Sequence, residues 1–90
     1  MADKHEIQLI IVYGVNKPLG DVQPEETIQA VKVAAMGLFN ISESEQGQYV
    51  LKTKIDGTED QLDEAKTVGS YPLHNEQKVT LAAGTPFGNL

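Results

Sequence analysis

An extended segment gives way to a helix within Val22-Gln-Pro-Glu-Glu-Thr-Ile-Gln-Ala-Val-Lys32, and this junction is the most informative part of the sequence for the fold. The Thr27 hydroxyl can cap the helix, and Glu25 and Glu26 lie near its positive N-terminal end. Apolar residues then recur at helical spacing as one stripe: Ile28, Val31, Ala35 and either Leu38 or Phe39. Gly37 is a possible stop, but we expect the helix to continue to Asn40, which can adopt the left-handed cap conformation.

Extended segments precede the helix. Ile7–Tyr13 is rich in β-branched and aromatic residues and predicts a buried strand. Residues 14–18 have turn chemistry, with Gly, Asn and Pro close together. A short return strand over residues 19–22 then completes an N-terminal hairpin.

The second half of the chain predicts further strands. Residues 42–47 are polar and acidic and are expected to form a solvated loop. Residues 48–55 alternate apolar and polar side chains as a strand does, and Asp56-Gly57 predicts a hairpin turn. The acidic segment that follows, residues 58–63, contains a short strand with Leu62 as its apolar anchor.

Residues 68–73 are expected to form a compact loop, and residues 78–82 the last strand. The order is strand, strand, helix, strand, short strand, strand. One helix packed across a mixed sheet of four to five strands suits this order, which is that of an α+β protein with the β-grasp fold. We therefore predict a domain over residues 1–82 and a flexible C-terminal tail over residues 83–90.

Composition limits the classes of function. The 90 residues include 13 acidic and 7 basic side chains, and the net charge is −6. Such a surface repels phosphate backbones and anionic lipid, so neither nucleic acid nor a membrane is predicted as a partner. The chain has no cysteine, which excludes disulfides, thiolate metal ligands and cysteine nucleophiles. The N-terminus is polar and charged, so we expect no secretory signal and a cytoplasmic location.

Side chains that could carry catalysis or hold a metal are sparse. His5 lies near the N-terminus and His74 in a predicted loop, and neither has a partner at recognisable ligand spacing. The segment Asp56-Gly-Thr-Glu-Asp60 differs from a calcium loop because its glycine falls at the second position rather than the sixth. We predict no enzymatic activity, no metal site and no bound cofactor.

Two stretches of the chain resemble ubiquitin. Residues 22–32 are similar to its strand-to-helix junction through Pro24, Thr27, Ile28, Val31 and Lys32. Residues 62–73 are similar to the loop before its last strand through Leu62, Thr67 and Tyr71. Continuing without a gap places Val79 and Leu81 at the last strand's apolar positions, and Phe87-Gly88 where ubiquitin ends in two glycines. Within that superfamily the chain most resembles the bacterial ubiquitin-like modifiers.

The resemblance implies a protein modifier that serves as a substrate for other enzymes. A zinc metallopeptidase would remove Asn89 and Leu90 and would also reverse conjugation. An activating enzyme would adenylate the Gly88 carboxylate with ATP, and enzyme cysteines would carry it as a thioester. A conjugating enzyme would then join it to an amine of a target protein. Resemblance to the bacterial group also implies a role in defence against phage.

The tail has physical properties that suit this role. A glycine end passes a narrow channel easily, because it has no Cβ and tolerates unusual backbone angles. Pro86 favours an extended backbone for itself and for Thr85. We expect the enzymes to recognise the segment that precedes the carboxylate: Gly84, Thr85, Pro86 and Phe87. Phe87 departs from the family, because a bulky aromatic residue replaces the penultimate glycine, and the arginines of ubiquitin's tail are absent.

Two alternatives stay open. The β-grasp sulfur carriers of thiamin and molybdenum-cofactor synthesis normally end in Gly-Gly, whereas this chain continues past Gly88. A non-covalent interaction module would have an inert tail and would retain Asn89 and Leu90. Its binding surface would correspond to the apolar patch on ubiquitin's sheet, which falls here on Ala82 with either Lys54 or Leu51.

Overall fold

The computed structural model describes residues 6–85, which form a five-stranded sheet and one α-helix. The elements are β1 (Ile7–Tyr13), β2 (Val15–Val22), α1 (Ile28–Leu38), β3 (Tyr49–Ile55), β4 (Thr58–Gln61) and β5 (Gln77–Ala83). The strand order in the sheet is β2-β1-β5-β3-β4. Strands β1 and β5 are parallel, and all other neighbours are antiparallel. The α+β β-grasp predicted from the sequence is confirmed.

The predicted Thr27 cap is confirmed, and α1 ends at Leu38, two residues before the expected end, although Asn40 does adopt the predicted left-handed conformation. The Thr27 hydroxyl accepts a hydrogen bond from the backbone N–H of Ala30 at 3.1 Å. At the other end Asn40 has a φ of 60°, and the N–H of Ile41 donates to the carbonyl of Met36. This left-handed cap satisfies carbonyl groups that the last helical turn would otherwise leave unpaired.

None of the helices within residues 6–85 has the length and apolar character of a membrane-spanning helix.

The turn predicted at residues 14–18 is wrong. Gly14 alone separates β1 from β2, and Tyr13 pairs directly with Val15. Pro18 therefore lies inside β2, opposite Ile10. It is tolerated there because β2 is an edge strand, where a missing N–H need not break a ladder between two strands.

Residues 42–47 are mostly exposed, as expected of a solvated segment, but they are not an irregular loop, because Glu43–Gln48 forms a 3-10 helix. The Ser42 hydroxyl caps this helix by accepting a hydrogen bond from the N–H of Ser44. The predicted hairpin turn between β3 and β4 is confirmed. Asp56 and Gly57 have φ values of 54° and 83°, which match the twist of a tight hairpin turn.

The core lies between α1 and one face of the sheet. The sheet contributes six apolar side chains to the core cluster, each almost completely buried: Leu9, Ile11, Val22, Leu51, Val79 and Leu81. The helix covers them with Ile28, Val31, Ala35 and Met36, and the long connections add Leu62 and Val68. Leu62 is 1% exposed, so its predicted role as an anchor is confirmed. The opposite face of the sheet, which we call the outer face, is not covered by the helix.

Candidate functional site

The base of the C-terminal tail lies on the sheet. Strand β5 begins one residue before the predicted start and continues to Ala83, which pairs with Tyr49 at the start of β3. The N–H of Gly84 then donates to the carbonyl of Gln48 at 3.0 Å. The carbonyl of Thr85 accepts a hydrogen bond from Nε2 of Gln61 at 3.0 Å. We call Gly84 and Thr85 the tail root.

Gly84 packs closely against Val50. A Cβ built on Gly84 would lie 3.0 Å from Cγ2 of Val50, a separation that real Cβ atoms rarely show. Side chains alternate between the two faces of a strand, so Val50 is on the outer face and Leu51 faces the helix. Val50 is nonetheless fully buried, although it is not part of the main core cluster. The absence of a side chain at residue 84 is what allows this close approach.

The other residues predicted to act in conjugation lie outside the part of the chain that the structure describes. These are Gly88, whose carboxylate is the predicted point of attachment, and its neighbours Pro86, Phe87, Asn89 and Leu90. Their roles stay predictions. Among residues 6–85 no group of three or more metal-ligating side chains comes together.

The outer face differs from the apolar patch that receptors of ubiquitin bind. Ala82 pairs with Val50, and Thr80 pairs with Lys52. Leu51 is fully buried under the helix, so its predicted place in such a patch is wrong. Lys54 does lie on the outer face, together with Lys52 and with Lys78 of β5, as strand alternation requires.

A shallow groove crosses one end of the outer face. Side chains of both charge signs line the groove: Lys54 and Lys78 are basic, and Glu59 and Glu76 are acidic. Glu59 pairs in register with Lys54 across β3 and β4. Opposite charges on directly facing positions attract one another. The groove therefore offers no concentrated charge of either sign for an ionic ligand.

An aromatic cluster that sequence reasoning missed lies where β5 ends. The Tyr13 ring packs edge-to-face with the rings of Phe39 and Tyr49. Its centroid lies 5.2 Å from that of Phe39 and 6.1 Å from that of Tyr49. The hydroxyls of Tyr13 and Tyr49 are 3.4 Å apart. This hydrogen bond, followed by desolvation and by the nearby Tyr13 and Glu45 charges, raises the pKa of Tyr49 above its ordinary value. The alternation of β1 indicates from the sequence that Tyr13 continues the core-facing set. Its ring partners, Phe39 and Tyr49, come from distant elements, so the cluster itself was not predicted.

Lys32 is a buried cation that ties the helix to the loops. Its Nζ donates to Glu64 Oε2 at 2.6 Å, to the carbonyl of Tyr49 at 3.0 Å, and to the carbonyl of Gln46. The side chain is only 1% exposed. In the folded domain this amine is committed to three acceptors and is not accessible for modification.

Comparison with known proteins supports the fold. No protein-family model matches the chain, and no curated protein is similar in sequence. A solved structure described as molecular mimicry of SUMO that promotes DNA repair matches with a TM-score of 0.68 and 19% identity. That match covers 91% of this chain and 95% of the other. A structure of ATBAG1 in complex with HSP70 matches with a TM-score of 0.68 and 15% identity, over 92% of this chain and 42% of the other.

These likenesses show that the chain has the ubiquitin-like β-grasp fold. The five-stranded mixed sheet, its single crossing helix within residues 6–85 and the small size all agree with that class. At such low identity the comparison extends to the fold alone. Function has to be argued from the site.

Proposed function

We propose that this chain is a ubiquitin-like protein modifier that is conjugated to target proteins through the carboxylate of Gly88. The observation that supports the proposal is the position of the last strand. Strand β5 lies between β1 and β3 in the sheet and ends at Ala83, five residues before Gly88. Five extended residues span about 17 Å, enough for a carboxylate to enter the active site of another enzyme.

The proposed reaction begins with the removal of Asn89 and Leu90. A zinc metallopeptidase hydrolyses the amide between Gly88 and Asn89 and leaves a free carboxylate. An activating enzyme joins this carboxylate to AMP and releases pyrophosphate from ATP. An enzyme cysteine displaces AMP to form a thioester, and a conjugating enzyme presents the thioester to the amine of a target protein, which releases the thiol.

In this proposal the chain is a substrate of the other enzymes and is not itself an enzyme. It binds no cofactor, since the activating enzyme uses the ATP. The proposed setting is the bacterial cytoplasm, in a conjugation system that acts in antiviral defence. The folded domain presents the tail, and Gly84, Thr85, Pro86 and Phe87 are the residues that the partner enzymes recognise.

Two truncated chains test the proposal in cells that contain the partner enzymes. Both carry an N-terminal epitope tag; one ends at Gly88 and the other at Phe87. We expect the chain that ends at Gly88 to form slower-migrating adducts that resist denaturation and reducing agent, because its carboxylate needs no processing. The chain that ends at Phe87 is expected to form none, because its terminal side chain blocks the narrow channel. Equal adduct formation by both chains would contradict the assignment of Gly88.

The same experiment addresses the two alternatives. A sulfur carrier would form no stable adducts, and the chain that ends at Gly88 would instead gain the mass of a sulfur-for-oxygen exchange at its carboxylate. A non-covalent interaction module would give neither adducts nor a mass change. The lysine-bearing outer face would then be the surface on which to look for partners.

A further inference from the structure

We propose that the tail root occupies a seat on the outer face of the sheet, and that Gln61 sets how much of the tail is free. The seat consists of Val50, the carbonyl of Gln48 and the side chain of Gln61. This inference extends the proposed function, since it concerns how the Gly88 carboxylate is presented. The existence of the seat itself does not depend on conjugation.

The path of the chain supports this proposal. In the sheet, β3 lies between β5 and β4. Ala83 ends β5, the N–H of Gly84 bonds to Gln48 next to β3, and the carbonyl of Thr85 is held by Gln61 of β4. The tail root therefore leaves the direction of β5 and crosses β3 toward the edge of the sheet.

The burial of Val50 supports it independently. Valine on an open sheet face is expected to be partly exposed, yet Val50 is 0% exposed. Gly84 approaches it so closely that a methyl group there would lie 3.0 Å from one γ-methyl of Val50, and Val50 would have to shift to make room. Gln61 pairs with Lys52 in register, which places its side chain on the same face as Val50. The contact of Gly84 with Val50 and the hydrogen bond from Gln61 to Thr85 are therefore both on the outer face of the sheet.

The seat limits the reach of the carboxylate. Counted from Thr85, three residues lead to Gly88 and span about 10 Å when extended. Counted from Ala83, five residues span about 17 Å. An enzyme that draws Gly88 into a deep channel must first displace Thr85 from Gln61. Gln61 is thus a positioning residue, because it acts on the tail and not on the reacting atoms.

Cleavage by chymotrypsin at Phe87 measures how often the tail root leaves its seat. Chymotrypsin accepts a large apolar side chain in its specificity pocket, and Phe87 follows Gly84-Thr85-Pro86 in the chain. The protease must bind this segment in extended form, so it competes with Gln61 for Thr85. When opening and closing are fast, the cleavage rate follows the population of the open form.

We expect Gln61→Ala to raise the rate of cleavage after Phe87 about fivefold, which corresponds to about 1 kcal/mol for one hydrogen bond. Gln61→Glu is expected to behave similarly, because a carboxylate keeps the shape of the side chain but cannot donate. Gln29→Ala is the matched control, since it also removes one exposed glutamine hydrogen bond, which the Gln29 amide of α1 donates to Gln46 Oε1. Cleavage at sites inside the domain monitors any general loss of stability.

A peptide of residues 82–90 supplies the rate for a fully open tail. The proposal requires the full chain to be cleaved more slowly than this peptide, and both Gln61 variants to be cleaved faster than the full chain. If both variants are cleaved at the original rate, the proposal is overturned. No conjugating enzyme enters the assay, so this outcome is separate from the success or failure of the proposed function.

Discussion

Replacing Lys32 with alanine is expected to lower the free energy of unfolding by about 3–5 kcal/mol, the usual effect of breaking a buried ion pair from one side. The side chain of Glu64 is 15% exposed and would lose its cationic partner. The carbonyls of Gln46 and Tyr49 would also lose a donor. Leaving such groups buried and unpaired costs more than the hydrogen bonds themselves contribute.

Urea unfolding of the two proteins measures this difference. Lys78→Ala is the matched control, because Lys78 is an exposed lysine of β5 and its removal should change stability by less than about 0.5 kcal/mol. The double variant Lys32→Met with Glu64→Met should recover part of the loss, because apolar side chains of similar volume leave no buried charge. A change below 1 kcal/mol for Lys32→Ala would show that water reaches the site.

The second large effect is expected for Leu51→Ala, which should destabilise the domain by about 2–5 kcal/mol. Leu51 is fully buried in the core cluster beneath α1, and its removal leaves a cavity that the sheet cannot close. Val15→Ala is the control. Val15 is 59% exposed on β2, so we expect its truncation to change stability by no more than about 0.5 kcal/mol.

Comparing Leu51→Ala with Val15→Ala and Lys52→Ala also tests which side chains of β3 face the helix and which lie on the outer face. If Leu51 lay on the outer face with the lysines, its truncation would cost little, and Lys52→Ala would be the destabilising change. Equilibrium unfolding of all three variants therefore checks both the packing and the register of β3 with β5. A small effect for Leu51→Ala would contradict the register described here.

The helix and the order of the elements along the chain were predictable because their signals are local. Thr27 and Asn40 mark the ends of the helix through capping chemistry, which depends on neighbouring residues alone. The turn at Asp56-Gly57 is equally local, since two successive positive φ values favour these residue types. Gly14 and Pro18 led to the wrong prediction of a turn over residues 14–18, because these residue types are common in turns. An edge strand also tolerates proline, and local sequence does not show that β2 lies at the edge of the sheet.

The features that involve distant segments could not be predicted. The contact of Gly84 with Val50 and the bond from Gln61 to Thr85 join residues that are far apart in the chain. The burial of Lys32 likewise depends on acceptors from distant segments: the 3-10 helix, the start of β3 and the connection that holds Glu64. The role of Gly88 was inferred from resemblance to ubiquitin, and residues 86–90 lie outside the described part of the chain.

The intact mass of the protein recovered from its own cells is the most direct test of the proposed function. Cells that express the partner enzymes should yield a chain that has lost Asn89 and Leu90 and ends at Gly88. Species of higher mass in the same sample, each equal to the shortened chain joined to another protein with loss of water, are also expected. A full-length mass that retains Asn89 and Leu90, in cells where those enzymes are active, would contradict a modifier that matures at Gly88.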